Sequence, residues 1–121
     1  MPDENVIIDR EALNRLFEAV GDDPEFLKEL LDEYFLDSPV QFENMAAALS
    51  SDNAEDFRRA AHSLKSNSAN FGAVALSHRF KELEDLGKSG NLYGGEALVA
   101  QASVEYQQVK TALEAILQEM S

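Results

Sequence analysis

Ala54-Glu55-Asp56-Phe57-Arg58-Arg59-Ala60-Ala61-His62-Ser63-Leu64-Lys65-Ser66-Asn67-Ser68-Ala69-Asn70-Phe71-Gly72 carries the period of an amphipathic helix, with Ala54, Phe57, Ala61, Leu64, Ser68 and Phe71 on one stripe. Ser51, Asp52 or Asn53 can cap its start, and Gly72 ends it. His62 lies one residue, about 100°, beyond Ala61, so it leaves the apolar stripe and joins Arg58, Arg59, Lys65, Ser66 and Ala69 on the outer flank. The stretch therefore predicts a helix that buries one face and presents a histidine on the other.

Working outward, the same period recurs on both sides. Asp9 is a candidate N-cap for a short helix bearing Leu13, Leu16, Phe17 and Val20, stopped at Gly21. Asp23-Pro24 is a second start signal, because proline suits the first helical position. Leu27, Leu30, Leu31, Tyr34 and Phe35 follow, and the stripe resumes at Phe42, Met45, Ala46 and Leu49. One long helix is expected there, bent or interrupted near Ser38-Pro39, where proline removes a backbone donor. After the histidine helix, Ala73, Leu76, Phe80, Leu83 and Leu86 define a further helix ending in Gly87-Lys88-Ser89-Gly90-Asn91. Leu98, Ala102, Tyr106, Val109, Leu113, Ile116 and Met120 define the last.

The expected spans are 9–20, 24–49, 53–71, 73–87 and 95–120, in a single domain over residues 1–121. No segment alternates with a period of two over a strand's length, so the class is all-α. The expected architecture is an antiparallel up-and-down four-helix bundle with a short additional N-terminal helix over one end.

Composition excludes several functions. A net charge of −13, from 23 acidic against 10 basic residues, repels nucleic-acid backbones and anionic lipid headgroups, so no nucleic-acid partner and no direct membrane contact are expected. The absence of cysteine removes disulfides and thiolate metal sites. Met1-Pro2-Asp3-Glu4-Asn5 lacks a signal peptide's basic start, and no apolar run approaches the roughly 20 residues of a membrane span. A cytoplasmic location is expected, whether the chain is free or one domain of a larger membrane-associated hybrid kinase.

His62 is the candidate nucleophile. An exposed imidazole, with an ordinary pKa of about 6.5, is mostly neutral at pH 7 and needs no activating triad to attack a phosphoryl donor. Lys65, three positions on, lies on the same flank and can pair with an anion attached to the ring. His62, Leu64, Lys65, the small residues Asn67 to Ala69, and Phe71-Gly72 resemble the H-x-L-K-G signature of histidine-containing phosphotransfer (HPt) domains, in which Ser66 stands where the family usually has glycine.

The resemblance implies a phosphorelay intermediate: His62 accepts a phosphoryl group from a receiver-domain aspartate and passes it to another. It implies that Lys65 stabilises the phosphoryl group and that Arg58, Arg59, Ser66 and Ala69 serve partner docking. The implied partners are receiver domains of response regulators and hybrid histidine kinases, met by a monomer. No cofactor is expected in this chain, because the Mg²⁺ for transfer belongs to the receiver, and no kinase activity is expected without a P-loop or kinase-type glycine loop.

Other features point to structure. His78 is expected to be a surface or semi-buried structural residue, and Glu82, Glu84 and Asp85 a solvated face. Neither histidine has the Glu-x-x-His spacing of di-iron bundles, so a metal enzyme is disfavoured. The alternative function is an acidic helical-bundle interaction module in which His62 is never phosphorylated.

Overall fold

The computed structural model describes residues 7–120. Five helices follow one another: α1 (Arg10–Ala19), α2 (Pro24–Ser51), α3 (Ala54–Asn70), α4 (Val74–Ser89) and α5 (Gly95–Met120), with no strand among the described residues. Helices α2 to α5 form a closed ring of neighbours, α2 against α3 and α5, and α4 against α3 and α5. This is the expected four-helix bundle, and α1 packs on α3 as the additional helix.

The starts are set by side chains that satisfy the first free amides of each helix. Asp9 accepts from the Glu11 and Ala12 amides, Asp23 from Glu25 and Phe26, and Asn53 from Asp56. Of the three candidate caps before α3, Asn53 takes that role, while Asp52 adopts a left-handed conformation that closes α2. Gly72, at φ +80°, makes the α3–α4 turn, and its carbonyl accepts a 2.7 Å bond from the Asp9 amide. A Cβ there would come within 2.5 Å of the Asp9 carbonyl, so glycine is what lets α1 dock on this turn.

The core is one cluster in which Phe57, Ala61, Leu64, Phe80, Leu83 and Leu113 are fully buried. Tyr34 packs 5.0 Å from Phe71 and 5.7 Å from Tyr106, and Phe42 packs 5.8 Å from Phe80, so aromatic rings tie α2 to the rest of the bundle.

The expected single long helix is present: of a bend or an interruption near Ser38-Pro39, the interruption does not occur, and α2 runs through Pro39 as one helix. Leu27, Leu31, Tyr34, Ser38, Met45 and Ala48 are all buried, so the stripe stays in phase through an exposed proline. Packing of both halves outweighs the roughly 3 kcal/mol that an internal proline costs. Ala46, assigned to the inward stripe, is exposed.

Candidate functional site

The site lies on the seam between α3 and α4, where antiparallel register sets Arg58 opposite Gly87 and His62 opposite Glu84. Gly87 is buried inside α4, and a Cβ on it would fall 2.8–2.9 Å from the Cβ, Cα and amide nitrogen of Arg58. The sequence pattern placed Gly87 in a helix-ending segment, but α4 continues to Ser89 and is closed by Gly90. Glycine at 87 instead lets the two backbones approach closely. One turn farther along each helix, a glutamate side chain then spans to the histidine.

Glu84 is that glutamate, and its place in the candidate site is what sequence reasoning missed. Assigned to a solvated face, it is only 2% exposed. Its Oε2 hydrogen-bonds His62 Nδ1, its Oε1 accepts from Lys65 Nζ at 2.8 Å, and Lys88 Nζ lies 3.8 Å away. A buried carboxylate needs such partners, and α3 supplies two of them. The signal was present in the spacing: Phe80, Leu83, Glu84 and Gly87 share the inward side of α4, and an acid on a core-facing stripe calls for cations on the facing helix.

The electrostatics follow. Burial alone raises the Glu84 pKa, but the hydrogen bonds from Lys65 and His62, with the charges of Lys65 and Lys88, outweigh it and hold the carboxyl at about 2. At neutral pH Glu84 is therefore an acceptor only. Nδ1 must be the proton-bearing ring nitrogen, and the lone pair resides on Nε2. The His62 side chain is 56% exposed, so that nucleophilic nitrogen belongs to a ring that solvent and a partner can reach.

The remaining expected residues divide. Lys65 is beside His62, as its spacing requires, with its own carbonyl accepting from the Ser77 hydroxyl at 3.0 Å, a contact that ties this turn of α3 to α4. Ser66 and Ala69 are exposed on the flank that carries His62. Arg58 and Arg59 both turn to Glu55, at 2.6 and 3.3 Å, at the start of α3. Arg59 also borders a shallow groove of about 370 Å³ between α2 and α3, with Asn44, Ala47 and Ser63. His78 is exposed on α4 and takes no part in this cluster. No group of three or more potential metal ligands occurs among the described residues.

Beneath the site, Ser68 is fully buried and its hydroxyl is 2.8 Å from the Tyr34 hydroxyl, which burial shifts to a higher pKa. The Ser38 hydroxyl donates to the Tyr34 carbonyl at 2.6 Å. The Tyr34–Ser68 bond fixes the inner side of α3 against α2 while its outer side stays open, and the Ser38 bond stays within α2.

Comparison with known proteins gives the chain relatives in sequence and in fold. The sequence pattern of the Hpt domain matches residues 29–119, which include His62, Lys65 and Glu84. Histidine-containing phosphotransfer protein 2 of Arabidopsis thaliana is 29% identical over 94 residues, 75% of this chain. The chain spans 60% of that relative's length. The crystal structure of histidine-containing phosphotransfer protein B from Pseudomonas aeruginosa PAO1 is 34% identical and superposes with a TM-score of 0.84, over 95% of this chain and 97% of that one. No described helix is long and apolar enough to cross a membrane.

Proposed function

The chain belongs to the Hpt domain family, and from that premise we propose that His62 is the residue on which this phosphorelay intermediate carries its phosphoryl group. The observation that carries the assignment is the pairing of His62 Nδ1 with buried Glu84, which leaves Nε2 as the nucleophile of an exposed ring beside Lys65. His78 has no such environment.

In the proposed reaction, the Nε2 lone pair attacks the phosphorus of an aspartyl phosphate on a receiver domain. The N–P bond forms, the P–O bond to aspartate breaks, and aspartate leaves as a carboxylate. The reverse step, onto a second receiver, delivers the group onward. Lys65 is within reach of both Glu84 and the flank of His62, so its ammonium can stabilise phosphoryl oxygens. Ser66 and Ala69 keep that flank low enough for a docking domain, and Arg59 offers a cation at its edge. The partners are receiver domains of response regulators and hybrid kinases, met by a monomer in the cytoplasm, and Mg²⁺ is supplied by the receiver.

An interaction module without phosphoryl transfer gives no reason for a buried carboxylate to orient an exposed imidazole. The test is to mix the protein with a phosphorylated receiver domain and follow acid-labile, base-stable phosphate. Wild type and His78→Gln should take it up and His62→Gln should not, with circular dichroism unchanged in both variants. Uptake retained by His62→Gln would refute the assignment.

A further inference from the structure

Glu84 does more in this geometry than select a ring nitrogen. The inference rests on His62 being the carrier and concerns what happens after the phosphoryl group arrives. When Nε2 forms the N–P bond while Nδ1 keeps its proton, the ring becomes cationic. A cationic ring leaves phosphorus as neutral imidazole, needing no proton from elsewhere. A ring that has lost the Nδ1 proton would have to leave as an imidazolate, a far poorer leaving group.

The charges around the ring favour retention of that proton. From α4 it faces Glu84 and, behind it, Lys88; from α3 it has Lys65. Arg58 and Arg59 on α3 are engaged by Glu55, and Lys81 and Asp85 on α4 pair with each other. The two lysines and the one carboxylate leave a single positive charge beside the ring before transfer. A phosphoryl group of charge near −2 turns this into a single negative charge. The proton held on Nδ1 cancels it, and the Glu84 oxygen that holds it is shielded from water.

We propose that Glu84 is a positioning residue that keeps the Nδ1 proton on phosphorylated His62 throughout the neutral range, so that the phosphoryl group remains transferable in both directions. Without the carboxylate, the phosphorylated ring loses the acceptor that holds its Nδ1 proton, and transfer would slow as the pH rises.

The test compares wild type with Glu84→Gln, which preserves size and a hydrogen-bonding oxygen. Each is phosphorylated, purified, and mixed with the same receiver domain between pH 6 and 9, so that the receiver's own titration cancels in the ratio. The variant-to-wild-type rate ratio at pH 6 is the reference. By pH 8.5 that ratio should have fallen at least tenfold, and the variant's phosphohistidine should outlive the wild type's. A deficit of equal size at every pH would mean that Glu84 only holds the ring in place, and would overturn the proposal, as would identical profiles. Should the variant fail to fold, ¹⁵N NMR of the phosphorylated wild type decides: Nδ1 should remain protonated at pH 8.5, and a ring that has lost that proton overturns the proposal. A wild type that takes up no phosphate on His62 would instead sink the carrier assignment itself and this inference with it.

Discussion

Gly87→Ala separates two effects that usually travel together. Alanine is the better helix former by about 1 kcal/mol, so on α4 alone the substitution should stabilise. The added Cβ, however, would lie 2.8–2.9 Å from the Cβ, Cα and amide nitrogen of Arg58, atoms that no side-chain rotation can move. Relief requires α3 and α4 to part by several tenths of an ångström along the most intimate seam of the bundle. Overpacking of this kind costs about 1–3 kcal/mol, and with main-chain atoms in the way the upper half of that range applies. The net expectation is a loss of about 1–2 kcal/mol, or roughly 4–8 °C in melting temperature for a domain of this size. Urea and thermal denaturation followed by circular dichroism would measure it. Because Glu84 and His62 lie one turn away on each helix, Gly87→Ala should also slow phosphoryl transfer. Gly90→Ala supplies the control: it introduces strain at φ +78° but has nothing within 4 Å, so it should cost stability and leave transfer alone. A Gly87→Ala protein as stable as wild type or more so would refute the claim that close backbone approach sets the site.

Three further outcomes are expected. Ser66→Trp should keep the wild-type circular dichroism spectrum and small-molecule access to His62, yet lose receiver-dependent phosphorylation by about tenfold, equivalent to roughly 1.4 kcal/mol, while Ser66→Gly matches or exceeds wild type; a wild-type exchange rate for Ser66→Trp would show that receivers dock elsewhere. Lys65→Ala strips Glu84 of its 2.8 Å partner, so it should lower stability by about 1–2 kcal/mol and slow transfer without abolishing uptake, as checked by denaturation and phosphohistidine half-life. Glu84 titrates near 2 when folded against an ordinary 4.5, so its contribution is complete above about pH 4.5 and is lost as pH falls toward 2. The stability difference between wild type and Glu84→Gln should therefore shrink across that window, and a difference that stays constant would argue against a charged Glu84 at neutral pH.

Local chemistry was legible along the chain because it is decided within a few residues. Asp9, Asp23 and Asn53 cap helices since a side-chain oxygen can reach an amide two or three positions on, whatever the rest of the fold does. The outward placement of His62 follows from helical geometry alone, one step off a stripe of Phe57, Ala61 and Leu64. What crosses from one helix to another depends on register and separation, which no local pattern states. A bend or an interruption was expected of the long helix at Pro39, and packing on both sides of it carries the helix through. Arg58 and Arg59 could have faced His62 or Glu55 by spacing, and a carboxylate one turn earlier captures both. Glu84 is a single acid among several on α4, and only the close passage of α3, allowed by Gly87, turns it into the buried partner of His62 and Lys65. The outward placement of the proposed nucleophile is a property of the helix that bears it, whereas the tautomer and charge proposed to make it reactive belong to the seam between two helices.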